Sequence, residues 1–248
     1  MIVERWLVLP DIHCPAYNAK FVKAVLRYIR RNRIRIKGII FTGDFMDLPS
    51  ISAHNKGMVV GINLGREYEM ANNLLDLFDE ALGEGKEKIF LYGNHEGRFK
   101  RESLKLEVSK YGTAIKDIRD ALDLDKRGYT VYDNPRKKAY HMLGDLKLIH
   151  GVYYNIHAAK KHCEVYKCNI MFGHTHRHQV FDEGLYCAYN IGWMGDPEHD
   201  FFDYAEEGTK SYWVNSFGLV DVFKGKASVQ VIKFINNQYF IVDREVCE

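Results

Sequence analysis

With 248 residues, a net charge of +2 at pH 7 and 46% hydrophobic residues, the chain has the length of one large domain and the composition of a folded globular protein, which argues against disorder. Its near-neutral charge neither indicates nor excludes a nucleic-acid-binding protein, and its five cysteines form no CxxC pair, which argues against a structural zinc module or a disulfide scaffold. No run approaches about 18 apolar residues, so we expect a cytoplasmic protein without a membrane span.

The first part of the chain alternates strands with helices. Short apolar runs predict buried strands, and apolar residues at helical spacing predict the helices, the first of which has Asn18 as a plausible N-cap. This order predicts parallel strands joined by right-handed crossovers. The predicted strands are 6–10, 38–42 and 88–92, and the predicted helices are 18–32 and 67–82.

The rhythm changes in the second part. A helix at 101–122, interrupted near Gly112, and another at 156–167 are expected among short strands. The last three strands have no helix between them, which predicts an antiparallel C-terminal meander and, for residues 1–248, a single α/β domain. The predicted strands are 129–132, 138–143, 146–150, 169–173, 185–191, 212–223, 227–234 and 238–243.

Five polar motifs each follow a predicted strand, and the carboxyl ends of parallel strands converge at one sheet edge, where ligands bind. Residues i and i+2 of an extended chain point to the same side, so paired residues in one motif can share ions. The motifs together predict a binuclear metal site. They are Asp11-Ile12-His13, Gly43-Asp44-Phe45-Met46-Asp47, Gly93-Asn94-His95-Glu96, His150-Gly151 and Gly173-His174-Thr175-His176.

These motifs, in this order, resemble the pattern DxH, GDxxD, GNH, H and GHxH of the calcineurin-like metallophosphoesterase superfamily, over residues 11–176. The layout is similar to that of small phage and bacterial members, with a diesterase-like GHxH ending. The resemblance implies an α/β fold in which two mixed β-sheets form a sandwich flanked by helices.

The resemblance also implies roles for single residues. Asp44 would bridge two metal ions, and Asn94 would touch the substrate phosphate as well as a metal. His95 would be the general acid, and Asp47 would hydrogen-bond to His95 and favour its imidazolium form. The metal ligands would be Asp11, His13 and His176 for one ion, Asn94, His150 and His174 for the other, and Asp44 for both.

The donor set indicates which metals fit. Histidine, carboxylate and amide ligands without a thiolate suit Mn²⁺, Fe or Zn²⁺ better than Ca²⁺. We expect two divalent ions, with Mn²⁺ as the first choice and Fe, Zn or Ni as alternatives. Two such cations clamp the attacking and leaving oxygens and lower the pKa of a bridging water.

Two long segments, 48–66 and 98–136, do not fit the core pattern and are expected at the mouth of the site. Within them, Arg98 and His54 are candidate substrate-binding residues. Trp193, Trp213 and Phe217 are expected in the core, with a base-stacking platform as the alternative. Three basic clusters are expected to be solvated faces, with nucleic-acid binding as the alternative. They are Arg27, Arg30, Arg31, Arg33 and Arg35, then Arg98, Lys100, Arg101 and Lys105, and then Arg136, Lys137 and Lys138.

The expected activity is hydrolysis of a phosphate ester, most plausibly a phosphodiester in DNA, RNA or a nucleotide. A Ser/Thr protein phosphatase or a phosphomonoesterase is the alternative, although Leu48 stands where the phosphatase branch has an arginine. A non-catalytic scaffold is a third hypothesis, but such relatives lack a ligand or the acid histidine, and this chain has both. No obligate protein partner is indicated.

Overall fold

Two β-sheets form the centre of the molecule. The computed structural model describes residues 3–51, 63–97, 99, 117–133 and 140–236, and all statements below concern these residues. The strands are β1 (Glu4–Leu9), β2 (Ile36–Phe41), β3 (Glu87–Leu91), β4 (Tyr129–Tyr132), β5 (His141–Leu143), β6 (Leu146–Leu148), β7 (Asn169–Phe172), β8 (His178–Asp182), β9 (Cys187–Ile191), β10 (Ser216–Phe223) and β11 (Lys226–Lys233).

The first sheet has six strands in the order β11-β10-β1-β2-β3-β4, and the second has five in the order β5-β6-β7-β9-β8. Strands β1 to β4 pair in parallel, whereas β10 pairs antiparallel with both β1 and β11. In the second sheet β6, β7 and β9 are parallel, and the two outer strands are antiparallel. Both sheets are therefore mixed, as the sequence resemblance implies.

The alternation of side chains along β1 shows how the layers pack. Leu7 and Leu9 belong to the cluster that lies under the helices, whereas Trp6 and Val8 belong to the cluster between the two sheets. The second cluster also includes Met171 from the other sheet. Because successive strand residues point to opposite faces, one apolar strand can serve both layers. The result is a two-sheet sandwich with helices outside.

The helices cover the outer faces of the sandwich. The α-helices are α1 (Ala19–Asn32), α2 (Leu64–Leu82), α3 (Ile118–Ala121), α4 (Ala158–Tyr166) and α5 (Glu207–Lys210), with short 3-10 turns at Pro49–Ile51 and Asp200–Phe202. The side chain of Asn18 caps α1 by accepting a hydrogen bond from the Phe21 N–H at 3.1 Å. Helices α1 and α2 pack on the six-stranded sheet, and α4 packs on the five-stranded sheet.

The structure confirms the parallel strands of the first part and adds details that the sequence pattern does not indicate. Strand β8 was not predicted, and it pairs antiparallel with β9. Strands β10 and β11 form an antiparallel pair, but β9 and β10 belong to different sheets, because the chain between them crosses the sandwich. The predicted strand at 238–243, residues 101–116 of the predicted helix and most of the two mouth segments lie outside the described residues.

None of the helices in the described ranges combines the length and the apolar run that a membrane span requires.

Candidate metal centre

The five polar motifs all lie just beyond the carboxyl ends of parallel strands. Asp11, Asp44 and Asn94 follow β1, β2 and β3 of the first sheet. His150 and His174 follow β6 and β7 of the second sheet. Since parallel strands direct the following loops to one edge, the motifs meet where the two sheets face each other. The structure therefore brings the predicted residues of both sheets into one site.

The backbone at this edge is not extended. Asp11, His13, Asp44, His174 and His176 all have positive φ angles, between 40° and 68°. Residues i and i+2 were expected to point to the same side of an extended chain. This expectation is wrong for the Asp11/His13 and His174/His176 pairs, whose side chains are oriented by tight left-handed turns. Such conformations are unfavourable for residues with a Cβ and cluster at functional sites.

Backbone hydrogen bonds join the first two motif loops. The His13 N–H donates to the Asp44 carbonyl at 2.9 Å, and the Cys14 N–H donates to the Phe45 carbonyl at 2.8 Å. The Asp47 N–H donates back to the Cys14 carbonyl at 2.9 Å. These hydrogen bonds fix the two carboxylate-bearing loops relative to each other. They also hold the backbone of Cys14 between the loops, where its side chain is buried.

Glu96 is a buried carboxylate that sequence analysis assigned no role. Its Oε2 accepts hydrogen bonds from the N–H groups of Gly93 at 2.8 Å and Asp44 at 3.0 Å, and its Oε1 accepts one from Met46 at 3.0 Å. Glu96 therefore ties the loop after β3 to the loop that carries Asp44. The fourth position of the Gly93–Glu96 motif was the only sequence signal for it.

The side chains of the site point ring nitrogens and oxygens at one another. His13 Nε2 lies 3.0 Å from His176 Nε2, and His150 Nε2 lies 3.1 Å from His174 Nδ1. The Asn94 Oδ1 is 2.8 Å from His150 Nε2. Several of these atoms are acceptors in a neutral imidazole or an amide, so their convergence is typical of ligands arranged around cations.

Two groups of potential ligand atoms share one residue. His13, Asp44 and His95 each offer an atom within 4.8 Å of the others, and so do Asp44, His150 and His174. Asp44 belongs to both groups, as a carboxylate that bridges two metal ions must. The first group includes His95, which was expected to be an acid and not a ligand, so its role needs a test.

Asp11 shows that the site fits a cation. Its carboxylate accepts a hydrogen bond from the His174 N–H through Oδ2, whereas the fully buried Oδ1 makes no hydrogen bond and lies 3.2 Å from His150 Nδ1. A buried carboxylate oxygen is costly unless a positive charge compensates it, and either a cation or a protonated His150 would do so. Gly173 leaves the space that this carboxylate occupies, because a Cβ there would collide with it. These residues fit divalent metal ions.

The pKa shifts of His174, His176 and Asp44 favour the form that binds metal, whereas, despite burial, the neighbouring carboxylates raise the pKa values of His13 and His150 when no cation is present. Burial, together with the nearby His150, lowers the pKa of His174 to about 3, and burial lowers the pKa of His176 well below its usual value. Burial alone would raise the pKa of Asp44, but His150, His95 and His13 hold it well below its usual range. Neutral imidazoles and an ionised carboxylate are the forms that coordinate divalent ions.

Asp47 has a different partner from the one expected. Its Oδ1 lies 2.8 Å from His13 Nδ1, so the carboxylate orients a candidate ligand. His95 Nδ1 instead contacts the backbone carbonyl of Asp47 at 2.6 Å and lies 3.6 Å from its Oδ1. The Nδ1–H therefore donates a hydrogen bond to the carbonyl, and Nε2 faces the site, 3.8 Å from Asp44 Oδ2.

An aromatic wall supports His13 and His176. Trp193 stacks on His176 with ring centroids 4.3 Å apart and also meets His13 edge to face at 5.8 Å. Trp213 and Phe202 pack against Trp193. Trp193 and Phe217 are buried, so the expectation that they are core residues is confirmed for both.

The candidate substrate residues His54 and Arg98 lie outside the described residues, as do 52–62, 100–116 and 134–136 of the two mouth segments.

Comparisons with known proteins place this geometry in a family. A sequence model described as calcineurin-like phosphoesterase matches residues 5–178. A search of curated proteins gave no match.

Solved structures resemble the chain over nearly its whole length at low identity. Wild-type Vps29 of Entamoeba histolytica complexed with Zn²⁺ is 13% identical with a TM-score of 0.47, and the match covers 95% of this chain and 96% of that chain. Vps29 of Cryptosporidium parvum is 13% identical with a TM-score of 0.47, covering 98% and 97%. A predicted phosphoesterase of Streptococcus pneumoniae is 12% identical with a TM-score of 0.39, covering 94% and 91%.

The family assignment comes from the sequence model, which matches well over half of the chain. The matched segment contains the five strand-end motifs from Asp11 to His176. The chain therefore belongs to the calcineurin-like phosphoesterase family.

Proposed function

We propose that the chain is a single-domain, binuclear metal-dependent phosphodiesterase that acts on nucleic acid or nucleotides. The observation that carries this proposal is the sharing of Asp44 between two groups of potential ligand atoms, one with His13 and His95 and the other with His150 and His174. Two adjacent metal positions joined by a carboxylate suit in-line displacement at phosphorus.

The proposed ligands follow from the contacts. His13 and His176, whose Nε2 atoms face each other, would hold one ion together with Asp11. A second set, His150, His174 and Asn94, would hold the other, and Asp44 would reach both. When bound, two divalent cations supply positive charge for the phosphate oxygens and lower the pKa of a water nucleophile.

His95 is the proposed proton donor. Hydrolysis forms a bond from the water oxygen to phosphorus and breaks the bond from phosphorus to the leaving oxygen, which then needs a proton. The Nδ1–H of His95 donates to the Asp47 carbonyl, so Nε2, which lies 3.8 Å from Asp44 Oδ2 at the site, is the ring nitrogen that would give that proton. The carboxylates of Asp44 and Asp47, 3.8 and 3.6 Å from the ring nitrogens, attract a positively charged imidazolium.

Two features favour a nucleotide over a phosphoprotein. Tyr154 follows His150 on the same loop, is 79% exposed and has its ring centroid 6.5 Å from that of His174, where a base can stack on it. Leu48 stands where the phosphatase branch has an arginine, and its side chain is fully buried. A buried leucine cannot contact a substrate phosphate.

A paired activity screen tests the proposal. The purified protein with Mn²⁺ is assayed on bis(p-nitrophenyl) phosphate, p-nitrophenyl phosphate, a phosphoserine peptide, and single- and double-stranded DNA. We expect turnover of the diester and of DNA to exceed that of the monoester and the peptide. Turnover of the peptide alone would replace this proposal with a protein phosphatase.

Substitution of the shared carboxylate provides the matched control. Asp44→Asn is expected to abolish diester turnover and to reduce the bound metal measured by elemental analysis. Asp203→Asn removes the same charge from an exposed position and should leave both unchanged. A metal-free wild-type protein without activity on any substrate would instead support a scaffold function.

A further inference from the structure

Every charged residue of α1 is a cation. Residues 12–43 contain no Asp or Glu, although the chain as a whole has 33 acidic and 35 basic residues. The exposed side chains of the helix itself include five cations, spaced by three, four, three and one residues. We call these the α1 stripe: Lys20, Lys23, Arg27, Arg30 and Arg31.

Helical geometry gathers these cations on one side. At about 100° per residue, these spacings place all five within an arc of roughly 100°. From Lys20 to Arg31 the stripe extends about 16 Å, at about 1.5 Å per residue. The opposite face packs in the core through Phe21, Val25 and Ile29. The stripe is therefore a continuous solvent-facing row of positive charge.

Acidic neighbours leave the row largely uncompensated. Among the described residues, the stripe forms one ion pair, between Arg30 and Glu80 of α2 at 3.7 Å, and both side chains are largely exposed. Lys20, Lys23 and Arg31 have no carboxylate partner in that part of the chain. An exposed pair of this kind contributes little, so most of the positive potential remains.

Hydrogen bonds attach one end of the stripe to the candidate metal centre. The Asn18 N–H, at the start of α1, donates to the Met194 carbonyl at 2.8 Å. The Met194 N–H in turn donates to the carbonyl of Asp11 at 3.0 Å. The helix thus begins beside the metal-binding edge and extends away from it toward Arg31.

We propose that the α1 stripe binds the phosphate backbone of a single-stranded nucleic acid whose scissile phosphodiester lies at the metal centre. This inference rests on the proposed function for its substrate class and narrows it to a polymer, because a mononucleotide cannot reach from the site along a helix. A lipid surface fits less well, since the apolar face of α1 is already buried and Ile34 is a single exposed apolar residue.

Salt-dependent binding tests the stripe directly. Binding of a fluorescein-labelled single-stranded DNA of about 20 nucleotides is followed by anisotropy in EDTA, which prevents hydrolysis, between about 50 and 200 mM NaCl. The variant Lys23→Gln/Arg27→Gln/Arg31→Gln should bind at least about tenfold more weakly at the lowest salt. Its plot of log affinity against log salt should be shallower by about 2, since each lost phosphate contact contributes roughly 0.7.

A control variant separates the effect of losing the stripe from the effect of a lower net charge. Lys126→Gln/Lys224→Asn/Lys226→Gln removes three exposed cations elsewhere, with Asn at Lys224 because that residue has a positive φ. This variant should bind like the wild type. Equal losses in both triple variants, or no loss in the stripe variant, would overturn the proposal. A stripe variant that binds DNA normally but no longer binds phosphatidylserine vesicles would replace it with a membrane surface.

Comparing hydrolysis of a small diester with that of an oligonucleotide tests the stripe and the proposed activity separately. With Mn²⁺, the stripe variant should retain the wild-type rate on bis(p-nitrophenyl) phosphate and show a raised KM only on the oligonucleotide. Wild-type protein that binds DNA through the stripe but fails to hydrolyse either diester would refute the proposed activity and leave the binding surface standing. If the wild type hydrolyses both substrates and the stripe variant has the same KM for the oligonucleotide, the role of the stripe is refuted and the proposed activity stands.

Discussion

The imidazole of His176 and the indole of Trp193 lie almost parallel, with ring centroids 4.3 Å apart and an interplanar angle of 10°. Trp193 is buried, and Phe202 packs against it edge to face with ring centroids 5.1 Å apart. The indole therefore fixes the plane of the imidazole. Because His176 Nε2 faces His13 Nε2, the same contact sets the geometry of one proposed metal position.

Truncation of Trp193 should lower both stability and metal binding. We expect Trp193→Ala to lower the free energy of unfolding by about 3–5 kcal/mol, as for other large-to-small core substitutions. We also expect fewer than two metal ions per chain, because His176 loses its support. Urea denaturation in EDTA measures the first effect, and elemental analysis after dialysis against Mn²⁺ measures the second.

Trp193→Phe distinguishes positioning from space filling. Phenylalanine retains an aromatic face for His176 and should preserve more of the metal content than alanine does. If Trp193→Ala is destabilised but still binds two ions with wild-type affinity, Trp193 contributes only to packing.

Glu96 should act on the site through the backbone. Glu96→Ala leaves three buried N–H groups without an acceptor, on Gly93, Asp44 and Met46, at roughly 1–3 kcal/mol each. We expect a large loss of stability and of metal affinity, with a smaller loss in Glu96→Gln, which keeps one acceptor oxygen. Thermal unfolding and isothermal titration with Mn²⁺ measure the two effects.

The control for Glu96 is Glu69→Gln, which removes an acidic group from the exposed surface of α2 and should change neither quantity by a measurable amount. Metal affinity in Glu96→Ala equal to that of the wild type would show that the loop holds Asp44 without this carboxylate.

The strand-end position of the site residues was predictable because each motif is local. Asp11 follows an apolar run, and so does His174, so the sheet edge could be inferred from short-range pattern alone. Their conformation could not, because the positive φ angles depend on contacts with other loops, such as the hydrogen bond from the His174 N–H to Asp11. The extended-chain argument failed for that reason.

Contacts between distant residues account for the remaining differences. The bond of Asp47 to His13, instead of to His95, joins residues 34 positions apart. The stack of Trp193 on His176 depends on where the chain returns after β9, and the division of the C-terminal strands between two sheets depends on the same crossing. Neither periodicity nor motif spacing carries information about such pairings.

His162 should make stability depend on pH. It is fully buried on α4, where its Nε2 accepts a hydrogen bond from the Val152 N–H at 3.0 Å and its Nδ1 donates to the Ala158 carbonyl at 2.8 Å. Burial lowers its pKa from 6.5 to about 4. Between these pH values the unfolded chain binds a proton that the folded chain does not, so stability falls as the pH falls through this window.

His162→Gln isolates this contribution, because glutamine supplies a donor and an acceptor but does not titrate. We expect the free energy of unfolding of the wild type to fall more steeply than that of the variant between pH 6.5 and about 4, by at most about 1.4 kcal/mol per pH unit. Urea denaturation at several pH values gives both slopes. Parallel slopes would mean that His162 is protonated in the folded protein as readily as in the unfolded chain.

His95 should affect turnover without affecting metal content. If His95 Nε2 protonates the leaving oxygen, His95→Ala should lower turnover of a dinucleotide, whose sugar oxygen is a poor leaving group, by about 10²–10⁴-fold. Turnover of bis(p-nitrophenyl) phosphate should fall far less, because nitrophenolate leaves without a proton. Steady-state kinetics on both substrates measure the ratio, and His157→Ala, at an exposed histidine beside α4, is the control that should change neither rate.

Metal analysis of the same variant decides between the two roles that the geometry of His95 allows. Its ring nitrogens lie within 4.8 Å of ligand atoms of both His13 and Asp44, close enough for a ligand, yet its Nδ1 is fixed by the Asp47 carbonyl in the orientation of a proton donor. If His95 is a general acid, His95→Ala keeps two bound ions and its rate loss depends on the leaving group. If His95 is a ligand, the substitution lowers the metal content and slows hydrolysis of both substrates equally, and that result would remove His95 from the acid role.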